Sequence, residues 1–229
     1  MPSLSIIVPV LNEGERIAAS LDALAPLRAL GVEVVVVDGG SRDATVQRAR
    51  LRADKVVSGP RGRATQMNAG AEKATGDILL FLHSDTRLPS DADHVLLNGL
   101  ERSGRAWGRF DVQIDSKKPM LRIVARMMNL RSRLTGIATG DQAIFVRRDA
   151  FRQFGGFPSI ELMEDIALSK LLKRIGPPLC LRERVITSAR RWEKRGMINT
   201  ILLMWRLRLA YFFGADPKDL AQLYGHVGD

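Results

Sequence analysis

Along the first 85 residues, short apolar runs alternate with longer stretches of mixed polarity. Residues 4–10 (LSIIVPV), 32–37 (VEVVVV), 56–57 (VV) and 78–82 (ILLFL) are nearly continuous apolar runs. Runs of this length, several of them rich in β-branched residues, read as strands buried on both faces of a parallel sheet. Between them the spacing becomes helical. Ile17, Leu21, Leu24 and Leu27 fall on or near one face of a segment from 15 to 30, which Gly31 closes. A helix is expected over residues 43–52, with Ser41 placed to cap it, and another over 64–75. This alternation predicts an α/β fold with a mostly parallel central sheet and helices on both faces.

The pattern changes after residue 85. Residues 91–103 read as a helix. Residues 107–114 alternate apolar and polar positions and are expected to form a strand of the opposite sense. Residues 119–134 form an arginine-studded amphipathic helix. A strand at 143–146, a short helix at 148–154, a Gly155-Gly156 turn, a helix at 164–175 and a strand at 179–187 follow. Residues 197–213 are strongly apolar, but Arg206 and Arg208 lie inside the run. Each would cost about 2.5–3.5 kcal/mol at the centre of a membrane span. A core helix or a surface-lying amphipathic helix is therefore expected. No internal repeat or linker interrupts the chain, so residues 1–229 are expected to form one domain.

Composition narrows the class. With 45% hydrophobic and 26% charged residues, the chain is that of a folded globular protein. Cys180 is the only cysteine, which excludes an intrachain disulfide and a cysteine-based zinc site. The net charge of +10 attracts polyanions: nucleic acid, anionic lipid or phosphorylated substrates. The start, Met1-Pro2-Ser3-Leu4, has no basic n-region and does not read as a signal peptide, so a cytoplasmic location is expected.

Ligands in open α/β sheets bind beyond the carboxyl ends of the strands. Three polar clusters emerge there. The first apolar run ends in Pro9-Val10-Leu11-Asn12-Glu13, the second in Asp38-Gly39-Gly40-Ser41-Arg42-Asp43, and the run at 78–82 in His83-Ser84-Asp85. Asp38 is placed to accept hydrogen bonds from a ribose or base, with glycines that let the backbone approach closely; a plain helix-capping turn explains the same spacing. Asp85 stands where a carboxylate can hold a metal ion and, through it, a diphosphate. The loop Gly59-Pro60-Arg61-Gly62-Arg63 opens a helix and suits a phosphate, or is a solvated basic loop. Glu164-Asp165 fits either a general base or a pair of acids favouring a helix N-terminus. Arg190-Arg191-Trp192 fits charge neutralisation at a leaving diphosphate or a basic surface pair over a packed Trp. Neither a P-loop nor a G-x-G-x-x-G fingerprint is present, which weighs against nicotinamide or flavin chemistry. His83, His94 and His226 lack metal-ligand spacing, and no G-x-S-x-G elbow occurs.

Taken together, residues 5–13 (SIIVPVLNE), 37–45 (VDGGSRDAT), Asn68-Ala69-Gly70, 76–85 (GDILLFLHSD), Gly155-Gly156-Phe157 and Glu164-Asp165 resemble, in order and spacing, the family-2 glycosyltransferases of GT-A fold. The resemblance runs from residue 4 to about 195. The short length and the 187–192 element resemble a compact bacterial subgroup labelled arsenosugar-biosynthesis-like. The resemblance implies a nucleotide-sugar-binding half (4–115), an acceptor and catalytic half (116–195) and a C-terminal helical tail (196–229). It implies a nucleotide-diphospho-sugar donor, a UDP-sugar first among them. Pro9, Asn12, Glu13, Asp38, Gly39, Ser41, Asp43, Arg63, Asn68, Ser84 and Asp85 would form the donor site. Asp85 would bind Mn²⁺ or Mg²⁺. Asp165 would be the base of an inverting displacement, supported by Glu164 and Arg191. Gly140, Asp141, Gln142 and Trp192 would border the acceptor. Two positions depart from the family pattern. His83 stands where D-x-D has its first acid, and Ser188 replaces the Gln of Q-x-x-R-W, which argues against processive polymer synthesis.

Between Asp115 and Asp141 there is no acid, while Lys117, Lys118, Arg122, Arg126, Arg131 and Arg133 are interleaved with apolar residues. Such a helix suits an anionic membrane surface or packs on the sheet with its arginines solvated. A lipid-linked or phosphorylated acceptor, with peripheral membrane contact through 119–134 or 197–213, follows from the first alternative. Two competing functions remain at this level. Nucleotidyl transfer is disfavoured because Asn12-Glu13-Gly14 is not a basic glycine-rich loop. A non-catalytic polyanion-binding module has only 6% aromatics for base stacking and no nucleic-acid motif, so no nucleic-acid partner is expected.

Overall fold

The computed structural model describes residues 2–225, without the side chains of Arg191, Lys194 and Arg195. The four apolar runs form β1 (Leu4–Val10), β2 (Glu33–Asp38), β3 (Lys55–Ser58) and β4 (Ile78–Phe81), which pair in parallel. They belong to an eight-stranded sheet of order β3-β2-β1-β4-β7-β6-β8-β5, completed by β5 (Thr86–Arg87), β6 (Trp107–Asp115), β7 (Phe145–Arg147) and β8 (Leu179–Ser188). The expected reversal at β6 is misplaced by one strand. β7 is antiparallel to both β4 and β6, so β6 runs in the same sense as β1, and β8 lies parallel to it. β5, two residues long and not expected from the pattern, is antiparallel to β8.

Side-chain alternation divides the core between the two faces of the sheet. Leu4, Ile6, Val8, Val34 and Val36 pack with Ile17, Leu21, Leu27, Leu96 and Leu100. These last residues lie on α1 (Ile17–Asp22), α2 (Ala25–Ala29) and α5 (Ala92–Ser103). On the other face, Ile7, Val35, Val37, Leu79 and Phe81 meet α4 (Arg63–Lys73), α7 (Arg148–Gln153) and α8 (Glu164–Leu172). Gly70 lets α4 lie against β1 and β2: a Cβ there would collide with Ile7 and Val37.

The helix expected over 15–30 is two helices. Pro26 sits in the first turn of α2, where its missing N–H costs nothing, and the chain breaks at Ala23-Leu24 before it. Ser41 does not cap the next helix, α3 (Thr45–Arg50), which starts after Ala44. The helix expected to reach residue 175 ends at Leu172 and continues as a 3-10 turn, Lys173–Ile175.

The second half adds α6 (Pro119–Thr135), α9 (Arg190–Arg195), α10 (Met197–Phe212) and α11 (Pro217–Gly225). Only Thr200 and Leu207 of α10 are buried, so it lies on the surface. Among the described residues no helix is long and apolar enough to cross a membrane.

Candidate active site

The loops after β1 and β2 are locked to each other beyond the carboxyl edge of the sheet. Asn12 takes a left-handed backbone, φ 52°, and its N–H donates to Ser41 Oγ at 2.8 Å, while its side-chain oxygen accepts from the Arg42 N–H at 2.9 Å. The Glu13 N–H donates to Thr45 Oγ1 and the Gly14 N–H to Asp43, both at 2.9 Å. Asp43 also accepts from the Thr45 hydroxyl and N–H, and these bonds hold its carboxyl below the usual range. Asp38 is buried at the end of β2 and accepts from the Gly40 and Ser41 N–H groups. Asn12, Ser41 and Asp43 thus form the frame of the site. Beneath it lies Gln66, which the sequence reading missed. It is buried in α4 and donates to the carbonyls of Val10 and Val37, at 2.8 Å each, fixing both strand ends. The available signal was a polar residue on the inward face of α4, between Ala64 and Met67.

Two carboxylates meet at this edge. Burial raises the Glu13 pKa above its ordinary value, and the neighbouring charges of Asp85 and Asp43 add to this against Arg16. Arg190 reaches both acids, with Nη2 3.7 Å from Glu13 and 3.8 Å from Asp85. It arrives there because β8 ends beside Asp85, whose carbonyl accepts from the Ser188 N–H. The sequence reading chose Arg191, whose side chain lies outside the described residues. Arg190 is the residue the structure places at the carboxylates.

Two residues before Asp85, His83 turns toward a second acidic group. Its Nδ1 lies 3.5 Å from Asp141. His83, Gly140, Phe157, Glu164 and Asp165 line a small cavity together. A Cβ on Gly140 would lie 2.5 Å from the His83 ring, so any side chain there would have to displace that ring. The Gly140 N–H donates to Asp165 at 2.8 Å, fixing that carboxylate at the start of α8. Burial raises the Glu164 pKa, and the adjacent Asp165 raises it further, against Arg63 and His83. Arg63 is surrounded by protein, which opposes its charge, but Glu164, Tyr224, Asp141 and Asp165 outweigh that and raise its pKa. Arg63 is nevertheless exposed to solvent. At the start of α4 it lies within reach of the charges of these acids.

Three other predicted residues have structural partners. Asn68 exchanges two hydrogen bonds with the backbone of Phe157, at 2.8 and 2.9 Å, and so clamps the Gly155-Gly156-Phe157 turn that leads to α8. Gln142 is fully buried in the 3-10 turn Gly140–Gln142 and bonds Thr139 and Asn129. Trp192 is half-buried and packs with Ile114, Leu121 and Ala125. Pro9 and Gly39 lie at the β1 and β2 ends, and the Ser84 carbonyl accepts from Ser20.

The model of glycosyl transferase family 2 matches residues 5–155. The chain belongs to this family. The family match begins in β1 and ends at the turn before α8. Among curated family relatives, the probable glycosyltransferase YdaM of Bacillus subtilis is 26% identical over 98% of this chain and 58% of its own length. A PGL/p-HBAD biosynthesis glycosyltransferase of Mycobacterium bovis is 38% identical, over 38% of this chain and 37% of its own. The chain thus spans roughly two to three fifths of the length of these relatives. Among solved structures, residues 1–349 of S. aureus TarS superpose with a TM-score of 0.65 at 17% identity, covering 84% of this chain and 62% of that one. A mannosyltransferase from Pyrobaculum calidifontis, in complex with GDP-Man and Mn²⁺, gives 0.64 at 20% identity, covering 99% and 70%. The shared architecture is the GT-A fold of the family-2 enzymes.

Proposed function

We propose that this chain transfers a sugar from a nucleoside-diphosphate donor, a UDP-sugar first among them, to an acceptor hydroxyl with inversion at the anomeric carbon. The observation that carries the reading is the pair of acidic centres at one sheet edge. Glu13 and Asp85 share Arg190, and two residues from Asp85 the His83 ring faces the cavity of Glu164 and Asp165. Family membership and similar structures in complex with UDP-GlcNAc, UDP or GDP-Man support the donor class.

In this reading the frame around Asp38 holds the nucleoside, with Pro9, Gly39 and Glu13 around it. Similar structures carry Mn²⁺ or Mg²⁺ with UDP. The residues here fit such an ion. The charges of two carboxylates repel each other, and the cation Arg190 already lies between them. Among the described residues no three His, Cys, Asp or Glu side chains cluster for a metal; Asp85, with Glu13 beside it, would hold the ion. When bound, the ion neutralises diphosphate charge. Asp165, held by the Gly140 N–H, takes the proton of the acceptor hydroxyl. That oxygen bonds to the anomeric carbon as the bond to the diphosphate oxygen breaks. The bonding pair leaves with the diphosphate, and Arg190 neutralises the developing charge. Glu164 is the buried neighbour that shapes the field around Asp165.

Peripheral contact with an anionic membrane fits the outer helices. Met120, Ile123, Met127, Leu130 and Leu134 on α6, and Ile198, Leu202, Trp205, Leu209 and Phe212 on α10, are exposed at alternating three- and four-residue spacing. Exposed apolar stripes of this kind mark interaction surfaces. Lys117, Lys118, Arg122 and Arg126 accompany the first stripe and α6 itself carries no acid, which favours an anionic lipid surface as the occupant. Sedimentation with phosphatidylglycerol vesicles at low salt should retain the protein, and phosphatidylcholine vesicles should not. Equal behaviour with both removes the membrane contact. The enzymatic reading is tested by a hydrolysis and transfer screen across UDP- and GDP-sugars with Mn²⁺ and Mg²⁺. Metal-dependent turnover of at least one donor is expected, and stabilisation by nucleic acid with no nucleotide-sugar response contradicts it.

A further inference from the structure

The arginines near α6 divide into two kinds. Arg109 is fully buried and bonds Ser132, the Asn129 carbonyl and Asp111. Arg133 bonds the same Asp111 at 2.7 Å and the Cys180 carbonyl at 3.0 Å. Arg131 differs. Its Nε and Nη2 are buried and have no hydrogen-bond partner among the described residues, and Arg208 Nε on α10 is in the same condition. Neither Arg131 nor Arg208 has a carboxylate partner within ion-pair distance among the described residues. Asp111 already serves two arginines, and α6 carries no acid.

Buried polar groups are almost always bonded, and an orphaned charged donor calls for a missing partner. The Nε and Nη2 atoms form the edge of a guanidinium that grips two oxygens of a phosphate or carboxylate at once. Two positive groups on helices that share an apolar cluster, with three buried donors lacking hydrogen bonds and no carboxylate at ion-pair distance among the described residues, are complementary to an anion. Their position relates them to the chemistry. Met197 at the start of α10 shares a cluster with Val124 of α6, and Leu207 shares one with Ile137 just beyond α6 and with Ile166 of α8. Arg208 therefore follows a residue packed beside the turn that carries Glu164 and Asp165. Charge interactions agree with this placement. Burial lowers the Arg131 pKa to about 10, as do the charges of Arg208 and Arg109, while Asp165 opposes them. At neutral pH the guanidinium stays charged.

We propose that Arg131 and Arg208 form an anion site that holds a phosphoryl group of the acceptor beside Asp165. This rests on the transferase reading and adds the acceptor's chemical class. The donor diphosphate has its own cations at the Asp85 edge, so the pair serves a second phosphate, carried either by a soluble acceptor or by a lipid.

The test measures inorganic phosphate binding by calorimetry at constant ionic strength, with chloride as the reference anion. Wild type, Arg131→Gln, Arg208→Gln and the exposed control Arg50→Gln are compared. Phosphate should bind wild type and Arg50→Gln alike and bind each of the other two at least about tenfold more weakly. Both of those variants should melt no lower than wild type without phosphate, because each removes an unpaired charge. Equal phosphate affinity in all four proteins overturns the site. Arg208→Gln, on a different helix, decides the matter if Arg131→Gln does not fold. Donor hydrolysis with Mn²⁺ is measured on the same samples. Its absence in wild type would defeat the transferase reading while leaving phosphate binding interpretable. Competition assigns the source. Vesicles with phosphatidic acid that displace phosphate better than phosphatidylcholine vesicles support the site with a lipid phosphate. Displacement only by a soluble phosphomonoester such as glycerol 3-phosphate supports it with a soluble acceptor.

Discussion

The two acidic centres are built differently. Asp85 and Glu13 lie at an open edge, a third and a fifth exposed, with one long arginine bridging them loosely at 3.7 and 3.8 Å. Glu164 and Asp165 sit at a helix start, with Glu164 buried and Asp165 fixed by a 2.8 Å backbone bond. The first centre is held by side chains that can move aside, which suits exchange of a cation and a polyphosphate. The second is fixed by backbone and by a glycine where any side chain would have to displace the His83 ring, which suits a proton transfer that depends on placement. In the proposed mechanism binding falls to the first centre and chemistry to the second, and the segment from His83 to Asp85 borders both.

Removing the base should have the largest effect. Asp165→Asn keeps the size and loses the proton acceptor, and turnover should fall by about 10²–10⁴-fold while donor affinity stays near wild type. Steady-state kinetics beside donor calorimetry checks both. Asp85→Ala should act in the opposite sense, weakening metal-dependent donor binding by at least about tenfold, because a carboxylate facing the ion is lost. Donor titration with and without Mn²⁺ reads this directly.

The fixed centre is also sensitive to sterics. Gly140→Ala places a methyl against the His83 ring and should destabilise the fold by about 1–3 kcal/mol, the usual cost of overpacking. Turnover should fall with it, since the same residue holds Asp165. Chemical denaturation and kinetics on one preparation test whether the two losses come together.

The smallest effect concerns Glu164. Its folded-state pKa is raised above the ordinary 4.5, so the folded protein holds that proton to higher pH than the unfolded chain does. Its contribution to stability is full below pH 4.5 and is lost as pH rises through the folded value. Glu164→Gln should therefore gain stability relative to wild type as pH rises above 4.5, with a slope no steeper than about 1.4 kcal/mol per pH unit. Denaturation midpoints across pH 4–8 measure it. A difference that is flat, or that shrinks with pH, contradicts the burial argument.

The parts legible in sequence were those encoded locally. Four apolar runs gave four parallel strands because burial on both faces leaves an unbroken hydrophobic signature. The carboxylates that follow them were visible for the same reason. The sense of β6 was not, since an alternating strand fits either direction and β7, only three residues long, carries the reversal. That Arg190 reaches the carboxylates depends on how the chain turns after β8, which the local sequence cannot reveal. Asn68 looked like a ligand contact because it stands in a family motif, but its partner is the backbone of Phe157, 89 residues away. Gln66 was missed because its acceptors are two carbonyls on different strands. The orphaned edge of Arg131 is likewise invisible without α10 beside α6.

Donor calorimetry with Mn²⁺ on Asp85→Ala and Asp165→Asn in parallel, with turnover measured on the same samples, tests the division of labour most directly. The account predicts that Asp165→Asn binds donor like wild type yet scarcely turns over, and that Asp85→Ala loses the metal-dependent part of binding. A fully active Asp165→Asn, or an Asp85→Ala that binds donor with metal as wild type does, contradicts it.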